Sequence, residues 1–255
     1  MIGCAVDDPV QFEAELAAVV AVGGWEAPRR IVELCVARLP VTGAGITLMS
    51  DADRQQPLWA SDEVAARIDE LQFRLAEGPC VEAFTSRTPV LVHDITEGVH
   101  EKWPVFANAA ALETVARGMY VFPLLGGPIS IGVLDFYRDR PVVFGPDDLA
   151  RALRASDAAF WAVLDVRPGA TLDPTGAPIA RRESGVDVDI EGWLADVPLE
   201  RPEVYQATGM IIAQLQVTPD VALATLRAHA FVHDRPIDAV ARDVVDRTLR
   251  FTEER

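Results

Sequence analysis

Lysine is almost missing from these 255 residues: Lys102 stands alone beside 22 arginines, a bias that reads as genome composition rather than as a binding mode. Cysteine is also scarce. Cys4, Cys35 and Cys80 form an odd set with no C-x-x-C spacing, which argues against a disulfide framework or a structural zinc site. The four histidines, His93, His100, His229 and His233, follow no H-E-x-x-H pattern. His229 and His233 stand at i,i+4 on an expected helix, but the sequence supplies no third ligand, so no metal is expected there. No catalytic set and no cofactor motif stand out. Long apolar runs are absent near the start: Leu16 to Trp25 has only ten residues, flanked by Glu13, Glu15 and Glu26, and lacks a basic leader. That is too short to span a membrane, and the expected location is cytoplasmic, with no membrane partner.

What is present is apolar material and negative charge. Half the residues are apolar and 24% are charged, enough for a packed core and against wholesale disorder. The net charge of −16 is unevenly placed. Residues 200–255 hold nine acids and seven arginines, a net of −2, so the first 199 residues carry −14. An acidic body disfavours indiscriminate polyanion binding but leaves room for a local nucleic-acid site in the tail.

Three prolines and four glycines between Arg167 and Gly192, with little apolar periodicity, mark that stretch as a linker. It separates an expected larger domain at 1–166 from a small domain at 193–255. In the first part, Pro9–Val22, Ala27–Leu39 and a segment capped by Ser61 through Leu71 read as helices. Ala44–Met49 and Gln56–Trp59 read as paired strands around the Asp51–Arg54 turn, and Pro89–His93 as a brief strand. Glu101–Val115 reads as a helix that becomes regular near Trp103. Gly118–Leu125 and Ile129–Tyr137 form a hairpin whose alternation suits a sheet with one covered face. A helix then runs from Pro146 to about Val166. Helices flanking an antiparallel sheet give an α+β fold.

The tail is helical. Val204, Ala207, Ile211 and Leu215 share one face; Thr218-Pro219-Asp220 opens a second helix with Leu223, Leu226 and Ala230 inside. After Asp234-Arg235-Pro236, Ile237, Val240, Ala241, Val244 and Val245 make a third stripe. Three short helices bury little alone, so a homodimer or support from a preceding helix is expected.

Glu77-Gly78-Pro79-Cys80, Thr88-Pro89-Val90-Leu91-Val92 and Ile131-Gly132-Val133-Leu134-Asp135-Phe136-Tyr137 together resemble a GAF domain over roughly 20–166. Gln206-Ala207-Thr208-Gly209-Met210, Ala222 through Ala230, and Val240-Ala241 resemble an ANTAR domain over about 195–252. The chain is thus similar to actinobacterial GAF–ANTAR regulators. The resemblance implies an antiparallel GAF sheet with flanking helices, followed by a three-helix ANTAR bundle. It also implies a non-enzymatic regulator of transcription antitermination, whose GAF domain receives a small-molecule or protein signal and whose dimeric ANTAR domains bind paired RNA stem-loops.

On that reading the RNA-binding candidates are Gln206, Thr208, Gly209, Arg227, Arg235 and Arg242. Gln206 and Thr208 flank core-facing Ala207 and are expected to point outward, and Arg227, next to buried Leu226, is expected to be exposed. ANTAR sequences commonly have lysine where Thr208 stands, which removes one phosphate contact. Gly209 inside a helix costs about 1 kcal/mol relative to alanine, so either helix packing or close approach of RNA must favour it. The acids Asp238, Asp243 and Asp246 on the third helix argue against tight duplex DNA binding. In the first domain Phe73, Phe84, Trp103, Phe106, Tyr120 and Phe136 are candidates for a ligand pocket, or else ordinary core. Cys80, at an expected helix start, is either a small buried thiol or a redox-sensitive one with a lowered pKa. A tail kept only for dimerisation and protein docking is the alternative to RNA binding.

Overall fold

The computed structural model describes residues 9–52, 54–97, 101–165 and 201–252. The chain divides into two compact units, one up to Val197 and one from Pro198. The expected linker at 167–192 lies outside the described residues.

The first unit is built on β1 (Gly43–Met49), β2 (Gln55–Ala60), β3 (Val90–Val92), β4 (Gly118–Gly126) and β5 (Ile129–Arg138). They form one antiparallel sheet in the order β2-β1-β5-β4-β3. Helices α1 (Pro9–Val22), α2 (Ala27–Arg38) and α6 (Pro146–Asp165) cover one face. The other face lies under α3 (Glu63–Leu75), α4 (Pro79–Ser86) and α5 (Pro104–Glu113). Both faces are therefore covered, not one. Every residue of β1 is buried, as its run of small and apolar residues without polar alternation allows.

Strand alternation sorts side chains between the two cores. Ala44, Ile46 and Leu48 of β1 face α1, α2 and α6, as do Tyr120, Phe122 and Leu124 of β4. Met49, Met119, Val121, Val133 and Tyr137 face α3–α5. Glycines fall at two of the β1 positions on this second face, Gly43 and Gly45, and leave space there. The alternation slips once in β5. Leu124 pairs with Gly132 and Leu125 with Ser130, so Ile131 is a bulge residue. That is why Ile131 and Val133 enter opposite cores. Gly132 makes the bulge possible: its φ is +153°, and a Cβ there would meet the Thr47 carbonyl oxygen at 2.2 Å.

Helix α3 starts one residue later than expected. Asp62, not Ser61, is the cap, accepting the Val64 and Ala65 N–H groups at 2.9 Å each. A carboxylate accepts both donors at once. The Ser61 hydroxyl instead accepts the Ala44 N–H at 2.9 Å and donates to Asp62 at 2.8 Å.

The second unit contains α7 (Pro202–Leu215), α8 (Pro219–Val232) and α9 (Ile237–Val245). The first two helices carry proline in their first turn, where its missing N–H is harmless, and Pro236 caps α9. Their shared core is Val204, Ala207, Ile211, Leu223, Leu226, Ala230, Ile237, Val240, Ala241 and Val244, all buried. Downstream of α9, the Phe251 N–H donates to the Gln214 side-chain carbonyl at 2.9 Å, tying the chain back to α7.

Candidate functional sites

The most unusual chemistry of the first unit lies between its sheet and α3–α4. Ile68, Asp69, Leu71 and Gln72 are buried on α3, and Cys80 sits in the first turn of α4. The Gln72 carbonyl accepts the Cys80 N–H at 2.8 Å, and its amide donates to Cys80 Sγ at 2.9 Å. Gly78 permits this clamp. It holds φ +135°, and a Cβ there would stand 2.6 Å from Gln72 Oε1. Across from α4, Asp135 on β5 pairs with Gly45 on β1. A Cβ at Gly45 would meet Asp135 Oδ2 at 2.9 Å and Asp69 Oδ2 at 3.4 Å. The missing side chain leaves the space that these two carboxyl groups occupy.

Asp69, Cys80 and Asp135 are 4%, 1% and 5% exposed, and one ligand-type atom from each lies within 4.8 Å of the other two. Burial raises the Asp135 carboxyl well above its ordinary range, and the negative Asp69 and Asp62 raise it further. The Cys80 thiol is likewise pushed well up, by burial first and then by Asp135 and Asp69, against the Gln72 hydrogen bond. Of the two readings of Cys80, the structure agrees with the small buried thiol and not with one of lowered pKa. Desolvation and two acids outweigh a helix N-terminus.

The six aromatic candidates do not line one pocket. Tyr120 and Phe136 belong to the core under α1, α2 and α6, where Tyr120 stacks on Phe144 with centroids 4.0 Å apart. Trp103, Phe106 and half-buried Phe84 lie on the opposite side of the sheet, and Phe73 is buried on α3. The period-2 strand geometry that makes Tyr120 and Phe136 core residues separates them from the others.

In the second unit, exposed positions Pro202, Gln206, Gly209 and Ala213 recur at helical spacing along α7. Nothing lies within 4 Å of a Cβ placed on Gly209. Two expected outward side chains turn inward. Thr208 is 7% exposed, and its hydroxyl donates to the Val204 carbonyl at 2.7 Å. Arg227 is 5% exposed. Each follows a core residue by one position, and on these helices the buried arc is wide enough to include that neighbour. Arg235 is half-buried and pairs with Asp243 at 2.8 Å, whereas Arg242 is exposed.

A model of the GAF domain family matches residues 26–165, and a model of the ANTAR domain matches residues 198–245. The chain belongs to the GAF–ANTAR family. GAF and ANTAR domains are regulatory families, and ANTAR domains are RNA-binding antitermination modules. No curated protein matches the chain.

Among solved structures, the GAF–ANTAR chain is similar to the GAF domain of a phosphoenolpyruvate-protein phosphotransferase from Coxiella burnetii. The identity is 12% and the TM-score 0.49, covering 61% of this chain and 92% of that one. It is also similar to free methionine-R-sulfoxide reductase from Neisseria meningitidis, with 15% identity and a TM-score of 0.47, over 62% of this chain and 91% of that one. Among the described residues of the GAF–ANTAR chain, no single helix is long and apolar enough to cross a membrane.

Sequence spacing did not foretell the buried polar site of the GAF unit. Asp69, Cys80 and Asp135 are separated by 11 and 55 positions, and no linear pattern unites them. The available signal was local: a polar Asp69 and Gln72 on the apolar stripe of α3, and Asp135 inside an otherwise apolar strand.

Proposed function

We propose that this GAF–ANTAR protein is a cytoplasmic, non-catalytic regulator that receives a signal at its GAF unit and binds paired RNA stem-loops as a homodimer through its ANTAR units, favouring an antiterminated transcript. The observation that carries the reading is the exposed stripe of α7, where Gln206 offers an amide and Gly209 leaves the backbone open to a close-approaching chain. Arg242 adds an exposed guanidinium for phosphate or an unstacked base. Arg235 joins this set after exchanging its Asp243 partner for phosphate. Thr208 and Arg227 support the RNA face from within the bundle. Two modest sites joined in a dimer can exceed one by about 10²–10⁴ in avidity.

Gel-shift titration of the full chain against paired stem-loop RNA and a scrambled RNA of equal length tests the proposal. Preference for the paired stem-loops, weakened in Gln206→Ala and Arg242→Ala, supports it. Equal weak binding to both RNAs overturns it.

A second reading has its own observation. Val221, Phe231 and Val232 on α8 are 45%, 59% and 75% exposed, an apolar set suited to protein docking. On that reading the ANTAR unit serves only dimerisation or docking. Removing residues 190–255 then changes the oligomeric state seen by light scattering, while the intact chain retains no RNA in a pull-down.

A further inference from the structure

We propose that Asp69, Cys80 and Asp135 form a binding site for a divalent first-row transition-metal ion inside the GAF unit. The three groups come from three elements, α3, α4 and β5, and converge with donor atoms within 4.8 Å of one another. Donors bound about 2.0–2.3 Å from one tetrahedral ion stand about 3.5 Å apart. The groups therefore need to close by at most about 1.3 Å. One sulfur with two carboxylate oxygens is a mixed donor set that suits zinc, cobalt(II) or iron(II) better than magnesium or calcium, which take oxygen alone.

A second observation points the same way. Thr47 is 2% exposed, and its hydroxyl has no hydrogen-bond partner in the structure. It lies two residues along β1 from Gly45 and pairs with Val133, which places it on the same face of the sheet as Asp135. A buried hydroxyl without a partner is costly, and a cation or its bound water beside it supplies one. Beyond burial, Asp69 and Asp62, both acidic, raise the Asp135 carboxyl, and the basic Arg138, three residues further along β5, falls on the opposite face of the strand. A metal ion held between these buried carboxyl groups would offset their negative charge.

Gln72 completes the arrangement as a positioning residue. Its amide donates to Cys80 Sγ and its carbonyl takes the Cys80 N–H. It thereby fixes the sulfur's direction, as outer-shell partners do for metal ligands.

The site stands apart from the RNA reading, and its test uses no RNA. The full chain, reduced and stripped with chelator, is titrated with Co²⁺ while its absorption is followed. The expected result is one equivalent bound, with a near-ultraviolet sulfur-to-cobalt charge-transfer band that added Zn²⁺ erases, and a higher melting temperature with Zn²⁺ than without. Cys80→Ser should lose the band, and Asp135→Asn should bind more than about 100-fold more weakly, beyond the 10–100-fold typical of outer-shell changes. Cys35→Ser, which alters a buried thiol of the opposite core, should keep the band. If a variant does not fold, the wild-type titration decides. No band and no melting shift in the wild type overturns the site, and so does a band that survives Cys80→Ser.

Discussion

Gln72 holds Cys80 from both ends, accepting its backbone N–H at 2.8 Å and donating to its sulfur at 2.9 Å. One side chain thereby caps α4, orients a buried thiol and joins α3 to α4, with Gly78 leaving the space that the amide needs. The polar centre of the GAF unit is organised around this contact.

Replacing Gln72 with leucine keeps the volume but leaves the buried Cys80 N–H without its acceptor. The cost of such an orphaned donor is about 1–3 kcal/mol. Chemical denaturation should show Gln72→Leu less stable by that amount, with the slope against denaturant unchanged. A variant as stable as the wild type would mean that α4 finds another cap.

The Asp135 carboxyl gives the metal-free protein a pH dependence of known sign. Its folded-state pKa is raised by burial and by Asp69 and Asp62, so above the ordinary carboxylate pKa near 4 the folded chain keeps a proton that the unfolded chain releases. The stability associated with that proton is full below about pH 4 and falls as pH rises toward the raised value. Asparagine carries no such proton. Asp135→Asn should therefore melt above the wild type at pH 7 in chelator, with the difference shrinking as pH is lowered toward 4.

Much of the GAF fold was legible in the sequence because its signals are local. The turns around Asp51–Arg54 and Gly126–Pro128 fixed two strand pairs, and Pro146 and Pro219 marked helix starts. The bulge at Ile131 was not legible, since it depends on how Gly132 packs against the Thr47 carbonyl of another strand. The same non-locality hid the meeting of Asp69 and Asp135 over Gly45. In the ANTAR unit, the core stripe of α7 was readable at Val204, Ala207 and Ile211, but its width was not. Thr208 and Arg227 fell inside an arc that periodicity alone draws too narrowly.

Asp94 supplies an opposite pH dependence. Hydrogen bonds from the Arg117 guanidinium, aided by Thr96, hold its carboxyl down to about 2 despite burial. The stability from this pair is present above about pH 4 and lost as pH falls toward 2. Arg117 is 41% exposed, so solvent screening keeps the effect to a small amount. Asp94→Asn should be less stable than the wild type by that amount at pH 7, and the two should converge near pH 2. A difference that persists unchanged to pH 2 would assign the loss to packing instead of charge.

Gly209 separates helix stability from RNA affinity in one substitution. It lies mid-helix in α7 on the exposed stripe with Gln206, and a Cβ there meets nothing within 4 Å. Overpacking of the bundle is therefore not expected, and alanine should gain the helix propensity that glycine forgoes, up to about 1 kcal/mol. On the proposed RNA reading, the same methyl group obstructs close approach of a nucleic-acid chain to the backbone. Gly209→Ala should melt at an equal or higher temperature while binding paired stem-loop RNA more weakly than the wild type. A melting curve and an RNA titration on this variant give the two readouts. A variant more stable than the wild type with unchanged RNA affinity would move the RNA contact away from α7, and toward the face that carries Arg242.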